Sequence, residues 1–258
     1  MSTIDFIDIE AVSHELSTPL TILILQLQLM EYYLDDKEKL REFIKIASRN
    51  AHRLTRHIGN LLDILKIDAG YLEIDLAAVD VYSLIQDICD SVEPYAGAKS
   101  IRLIRDIPQC RKVMLVDIGK MERILFNLLS NALKFSDQKG EVVVRAEDNY
   151  ENGVRFSVSD TGEGISEEKA RWISDPESSL VGTNKGCGLP LVKLLTQLLG
   201  GSIALRSKAG EGSTFTITLP LAQTPMPGSN AFGLSLSRKA EIELSDLDET
   251  NRPSIFSH

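Results

Sequence analysis

The chain has 258 residues, 43% of them hydrophobic, and a formal net charge of −9. This size allows one or two domains with a real core, and the acidic balance argues against a nucleic-acid binder, which usually carries a basic excess. Cys89, Cys110 and Cys187 lie far apart and form no metal-ligand pair, which is typical of proteins in a reducing cytosol. The sequence shows neither a signal peptide nor an apolar run long enough to span a bilayer. We therefore expect a cytoplasmic chain without direct membrane insertion. This expectation is compatible with a membrane anchor in another part of a longer parent protein.

Two long helices are predicted at the start of the chain, over 3–34 and 37–67, with Asp35 or Asp36 available to cap the second. The predicted buried seam of the first helix consists of Val12, Leu16, Leu20 and Leu23. A tight turn between the helices makes them an antiparallel hairpin. Because one hairpin cannot cover both apolar seams, residues 1–70 are predicted to form a four-helix bundle in a homodimer.

Residues 71–221 alternate between strand and helix patterns. Strands are expected near 79–82, 101–107, 141–146, 154–159, 202–207 and 213–219. Helices are expected near 83–98, 117–135, 167–173 and 189–199. Mixed strands and helices that end in a hairpin indicate an α/β sandwich with a largely antiparallel sheet, so the whole chain is assigned to the α+β class. Residues 222–258 lose this periodicity and contain an acidic cluster, which predicts a flexible tail.

One histidine in the first helix has the surroundings of a nucleophile. His14 lies off the apolar seam, Glu15 follows it, and Pro19 should bend the helix nearby. An acid can hold one imidazole nitrogen protonated and leave the other free to attack. The alternative is a surface histidine beside a surface acid, and this stretch alone favours the alternative.

Asn127, Asn131 and Lys134 share one face of the predicted 117–135 helix, because their offsets are four and three residues. Two carboxamide oxygens one turn apart suit Mg²⁺, which keeps water and phosphate oxygens as its other ligands. Lys134 adds a positive charge for phosphate. The alternative is a polar face that merely meets water.

Three glycine-containing loops are the remaining candidate functional motifs. Asp160 ends a predicted strand and can accept a hydrogen bond from an exocyclic amine, while Gly162 and Gly164 would let the backbone approach a flat ring. The loop 184–188 ends at a helix N-terminus, which favours phosphate. The loop 210–215, taken alone, predicts only an ordinary hairpin turn.

Together these motifs resemble those of bacterial sensor histidine kinases in both order and spacing, over about residues 5–221. The matching stretches are the phosphoacceptor box at 13–21 (Ser-His-Glu-Leu-Ser-Thr-Pro-Leu-Thr), the N box at 127–136 (Asn-Leu-Leu-Ser-Asn-Ala-Leu-Lys-Phe-Ser), and the glycine boxes at 160–165, 184–192 and 210–215.

The resemblance implies a dimeric hairpin domain followed by an ATP-binding domain of the superfamily that includes gyrase and the heat-shock chaperone ATPases. His14 would be the phosphorylated residue, Glu15 would accept a ring proton, and Thr18 would orient water for phosphatase activity. The phosphoryl group would pass to an aspartate of a separate response regulator.

The resemblance also assigns the nucleotide site, with ATP and Mg²⁺ as the cofactors. Asn127 and Asn131 would hold Mg²⁺ and phosphate beside Lys134, and Asp160 would bind the adenine amine. The residues that would shape the pocket and its lid are Gly162, Gly164, Gly186 and Gly188.

This sequence departs from the family pattern in three places around the lid. Asn184 replaces a glycine, Cys187 replaces a leucine, and the segment that begins at Trp172 lacks the usual aromatic pattern. Two alternatives to a kinase therefore stay open. The first is a non-catalytic dimeric scaffold that senses nucleotide, and the second is a chaperone-like ATPase, which the His14 segment disfavours.

Overall fold

The computed structural model describes residues 9–148, 153–165, 188–221, 236–245 and 247. Helices α1 (Ile9–Tyr32) and α2 (Lys37–Asp68) pack against each other as a hairpin. Asp36 caps α2, because its side chain accepts a hydrogen bond from the backbone N–H of Lys39. The predicted hairpin is confirmed. Within the described residues, no helix combines the length and the apolar character needed to cross a bilayer.

The hairpin leaves a stripe of apolar side chains uncovered in the single chain. The members of this stripe are between 37% and 52% exposed: Leu20, Ile24 and Leu27 on α1, and Ile58, Leu62 and Leu65 on α2. Leu20, a member of the predicted buried seam, belongs to this stripe and is exposed in the single chain. The other members of the seam, Val12, Leu16 and Leu23, are partly buried.

The remaining elements belong to a second unit and to a short C-terminal helix. In chain order they are β1 (Ala77–Asp80), α3 (Val81–Ala98), β2 (Arg102–Asp106), β3 (Val113–Val116), α4 (Ile118–Phe135), β4 (Glu141–Asp148), β5 (Val154–Asp160), α5 (Gly188–Leu198), β6 (Ser202–Ser207), β7 (Ser213–Leu219) and α6 (Leu236–Glu243).

Five strands form one sheet in the order β2-β4-β5-β7-β6. The pair β2 and β4 is parallel, and the other neighbours are antiparallel. Buried residues alternate with less buried ones along β5 and β7, as expected when one face of the sheet meets helices. Helices α3, α4 and α5 contact β2, β5 and β6 respectively, so they cover that face. The predicted two-layer sandwich is confirmed.

The strand expected near 79–82 needs correction: β1 begins at Ala77 and pairs with β3, a strand that was not predicted. Helix α3 continues to Ala98, as expected, although Pro94 lies inside it. Val92 and Ala96 are fully buried on either side of Pro94, and their packing outweighs the hydrogen bond that proline removes.

A short part of the C-terminal region packs on the rest of the chain. Ala240, Leu244 and Leu247 of the predicted flexible tail are buried in the hydrophobic core, with exposed fractions of 0%, 0% and 3%. Their spacing is that of one helix face. The acidic composition around them hid this short apolar pattern. The predicted helix near 167–173 lies outside the described residues, as do Trp172, Asn184 and Cys187.

Asp117 caps α4, and we predict that Asp117→Ala destabilises the second unit by about 2 kcal/mol or more. The side chain is 5% exposed and accepts hydrogen bonds from the backbone N–H groups of Lys120 at 3.0 Å and Asp75 at 2.9 Å. Loss of this buried carboxylate would remove both hydrogen bonds and the ion pair with the side chain of Lys120. Urea unfolding followed by circular dichroism measures the change.

Asp36→Ala is the matched control, because it removes a cap of the same type at a more exposed helix start. We expect it to cost about 1 kcal/mol or less. Equal losses for the two variants would contradict the structural role assigned to Asp117.

Candidate active site

Helix α4 presents the predicted polar face at one end of the sandwich. Asn127 is 6% exposed, Asn131 is half-buried and Lys134 is exposed, so the face runs from the interior to the surface. The other sides of the helix are buried in the core through Ile124, Leu125, Leu128, Leu129 and Leu133. The face is therefore held in place by the packing of the rest of the helix.

The side chain of Asn127 is oriented by the backbone of its own helix. Its Nδ2 donates a hydrogen bond of 2.8 Å to the carbonyl oxygen of Arg123. The Oδ1 atom faces Gly188, at which a β-carbon would lie only 2.8 Å from that oxygen. Gly188 is the first residue of α5, so the carboxamide oxygen adjoins a helix N-terminus whose first N–H groups lack helical partners. An acceptor oxygen beside such an N-terminus suits a cation together with the phosphates it binds.

Asp160 stands at the end of β5, beside Ser213 of β7. Its Oδ1 accepts a hydrogen bond of 2.9 Å from the backbone N–H of Gly162. Burial raises the pKa of Asp160, although the backbone N–H groups of Gly162 and Ser213 act in the opposite direction. The carboxyl group is thus partly desolvated, and a hydrogen bond to a ligand amine is stronger there than in water.

Glycines let three backbone segments meet beside Asp160. A β-carbon on Gly162 would lie 2.0 Å from the carbonyl oxygen of Phe135, the last residue of α4. One on Gly164, whose φ is +67°, would lie 2.0 Å from the carbonyl oxygen of Lys208. The β6–β7 loop also closes on this place, since Gly210 donates a backbone hydrogen bond of 2.7 Å to Glu163. The loop 210–215 is therefore part of the Asp160 cluster and more than an isolated turn.

His14 is exposed on α1, as predicted. The hydroxyl of Thr18, one turn later, donates a hydrogen bond of 3.0 Å to the carbonyl oxygen of His14. Pro19 is buried within the helix. The imidazole is thus accessible on the hairpin surface, with the Thr18 hydroxyl beside its backbone.

The carboxylate of Glu15 contacts a histidine of α2. Successive helix residues point about 100° apart, and Glu15 lies on the side of α1 that meets α2. Its Oε2 lies 3.3 Å from Nδ1 of His57. Burial raises the pKa of Glu15, but His57, Lys134 and Arg56 together outweigh burial and hold that pKa below its usual value.

Two residues that no sequence pattern assigned to this site are connected to it in the structure. His57 of α2 contacts Glu15. Arg123, one turn before Asn127, carries the carbonyl that orients the carboxamide. No local sequence pattern predicts the contact of His57 with Glu15, because it depends on how α1 and α2 pair. Gly186 lies outside the described residues, so its expected role stays a prediction.

Comparison with known families gives two matches along the chain. Residues 9–70 match the His Kinase A (phospho-acceptor) domain family. Residues 116–223 match the histidine kinase-, DNA gyrase B-, and HSP90-like ATPase family. The first match ends at residue 70, two residues after the end of α2 at Asp68.

The virulence sensor protein BvgS of Bordetella bronchiseptica is 34% identical over 262 residues, which cover 95% of this chain and 21% of BvgS. The chain therefore spans about a fifth of the length of such curated relatives. Full-length ShkA in complex with AMPPNP is similar in structure, with a TM-score of 0.63 and 26% identity over 90% of this chain and 52% of ShkA. Histidine kinase ThkA in complex with the response regulator protein TrrA shares the fold, with a TM-score of 0.60 and 24% identity over 82% of this chain and 60% of ThkA.

We predict that Gly188→Ala weakens the binding of ATP roughly tenfold or more, a loss of about 1.4 kcal/mol. The added β-carbon would lie 2.8 Å from Oδ1 of Asn127 and displace either the carboxamide or the start of α5. Titration with a fluorescent ATP analogue measures the affinity.

Gly97→Ala in α3 is the control, because a β-carbon there meets no atom within 4 Å. It should leave the affinity unchanged. Unaltered binding by the Gly188 variant would show that the carboxamide and α5 need not hold their present spacing.

Proposed function

The chain belongs to the histidine kinase family through its phospho-acceptor and ATPase domains, and we propose that it phosphorylates itself on His14 with ATP and then transfers the phosphoryl group to an aspartate of a response regulator. The observation that carries this proposal is the presence in one chain of an exposed His14 and the Asn127–Gly188 contact. The first supplies a nucleophile, and the second supplies a place for phosphates.

The nucleotide would bind with its adenine at Asp160 and its phosphates toward α5. The carboxylate of Asp160 accepts a hydrogen bond from the exocyclic amine, and the backbone at Gly162 and Gly164 leaves room for the ring. Lys134 and the N-terminus of α5 compensate phosphate charge.

Asn127 and Asn131 would hold Mg²⁺. Asn127 fits this role, because its Nδ2 is committed to the carbonyl of Arg123 and its Oδ1 is thereby turned toward Gly188 as an acceptor. When bound, Mg²⁺ neutralises charge on the phosphate oxygens.

In the proposed transfer, one imidazole nitrogen of His14 attacks the γ-phosphorus in line. A nitrogen–phosphorus bond forms, the bond from the γ-phosphorus to the β,γ-bridging oxygen breaks, and ADP leaves. The proton on the other ring nitrogen passes to Glu15 acting as a general base. Glu15 has to leave His57 before it can do so, because the two side chains are in contact in this structure.

The proposal extends to a homodimer through residues 1–70. The uncovered apolar stripe of α1 and α2 supports it, because a second hairpin would bury that stripe in a four-helix bundle. Response-regulator binding is supported by the structural similarity to ThkA, whose complex contains the regulator TrrA. The hydroxyl of Thr18, which is beside the His14 carbonyl, is the proposed group for phosphatase activity.

Incubation with γ-³²P-labelled ATP and magnesium tests the proposal. We expect label that is stable in alkali and labile in acid, as for a phosphohistidine, and its complete loss in His14→Ala. His52→Ala is the control, because it removes a different, partly buried histidine of the hairpin, and this variant should keep the label.

The alternatives give different results in the same assay. Nucleotide binding without any label would support the non-catalytic scaffold. Steady phosphate release that survives His14→Ala would support the chaperone-like ATPase.

We also predict that Glu15→Gln lowers the rate constant of labelling about 100-fold, because an amide cannot accept the imidazole proton. The ATP affinity should stay the same, since Glu15 is on α1 and the nucleotide residues are on α4, α5 and the sheet. Glu31→Gln, an exposed acid of the same helix, is the control. A variant that labels at the unaltered rate would remove Glu15 from the mechanism.

A further inference from the structure

The contact between Glu15 and His57 compensates a buried carboxylate oxygen. Oε2 of Glu15 lies 3.3 Å from Nδ1 of His57, and the two side chains are only 27% and 17% exposed. The same oxygen is sealed from solvent and accepts no well-formed hydrogen bond within the part of the chain that the structure describes. A buried anionic oxygen without a hydrogen bond is costly, so this one depends on the positive charge near it.

Three basic side chains supply that charge, and they differ in how they respond to pH. Burial raises the pKa of Glu15, but His57 first, and then Lys134 of α4 and Arg56 of α2, together hold that pKa down. Lysine and arginine stay charged near neutral pH, whereas histidine gains or loses its charge between about pH 5 and 8. Of these three groups, His57 is therefore the one whose attraction for Glu15 changes near neutral pH.

The protonation state of His57 decides how firmly it holds the carboxylate. A protonated imidazole carries a hydrogen on both ring nitrogens, so Nδ1 then presents an N–H and a positive charge to Oε2. A neutral imidazole has lost that charge. With its remaining proton on Nε2, it turns a lone pair toward the carboxylate oxygen. The contact is strong in the first state and weak in the second.

The same carboxylate is the proton acceptor of the function proposed above. Glu15 directly follows His14 in α1, and the side chain of His14 is exposed. A carboxylate that is paired with a cation is a weaker base, because protonation gives up the attraction of the pair. The rings of His14 and His57 therefore compete for one acid.

Resting on the function proposed above, we propose that His57 is a positioning residue for the phosphorylation of His14. Its protonated ring holds the carboxylate of Glu15 at α2, and its neutral ring releases the carboxylate to accept the proton that His14 loses. His57 neither gains nor loses a proton in the transfer step itself.

The proposal gives the reaction a characteristic dependence on pH. His14 has to be neutral to attack, so acidification slows the transfer through His14 itself. Protonation of His57 slows the transfer a second time, because it retains the base. The rate constant should therefore fall between about pH 8 and pH 6 more steeply than the protonation of one histidine explains.

Two substitutions in the full chain fix the charge at this position. His57→Gln keeps a polar side chain without a charge, and His57→Lys keeps a positive charge throughout this pH range. His52→Gln is the matched control, because His52 is the other histidine of α2 and lies 3.8 Å from Glu241 of α6.

Labelling with γ-³²P-labelled ATP at saturating concentration gives the rate constant at the two ends of this range. For His57→Gln we expect the rate constant at the lower pH to rise roughly fivefold above that of the unaltered chain, the factor that a partly exposed ion pair can contribute. For His57→Lys we expect the rate constant at the higher pH to fall by a similar factor. The ratio of the two rate constants narrows in both variants and keeps its value in the control.

A second measurement does not depend on phosphoryl transfer. Carbon-13 NMR of the side-chain carboxyl group of Glu15 follows its ionisation in the full chain. Because His57 holds the pKa of Glu15 down, the titration midpoint should move to higher pH in His57→Gln. It should stay in place in His52→Gln.

The outcomes separate this proposal from the proposed function. A Glu15 midpoint that does not move in His57→Gln overturns the hold on the carboxylate. A rate constant of His57→Gln that fails to rise at the lower pH overturns the positioning role, as does an equal loss at both pH values in both His57 variants. Absence of label in every protein overturns the proposed function, while the NMR midpoint still decides whether His57 holds the acid.

Discussion

The burial of one side of helix α4 is the constraint on which the candidate site depends. This helix gives the core seven large apolar side chains, each of which is at most 1% exposed: Met121, Ile124, Leu125, Phe126, Leu128, Leu129 and Leu133. A helix anchored in this way cannot rotate, so Asn127, Asn131 and Lys134 keep their places on the opposite side. Each buried apolar side chain contributes more than a typical single hydrogen bond, and the polar site is therefore positioned mainly by hydrophobic packing.

The parts of the site that could be predicted from the sequence are those set by local geometry. Helical spacing alone places Asn127, Asn131 and Lys134 on one face, and a capping aspartate marks where that helix begins. The Asp160 loop could be predicted because glycines follow the end of a strand. What the spacing could not give is the contact of Gly162 with the end of α4, since that approach depends on how the helix lies across the sheet.

The parts that could not be predicted depend on pairs distant in sequence. Glu15 and His57 meet because α1 and α2 pair in one register, and no pattern within either helix reports that register. The burial of Ala240, Leu244 and Leu247 was missed for another reason. The acidic composition around them predicted disorder, whereas these three apolar residues pack in the core.

The charges around Glu15 connect the arrangement of the two domains to the chemistry proposed for His14. A carboxylate whose pKa is held low is a weak proton acceptor. Burial alone would raise the pKa of Glu15, but His57, Lys134 and Arg56 together reverse that effect. Lys134 belongs to α4, so the polar face that is proposed to hold the phosphates already acts on the acid that follows His14 in the chain.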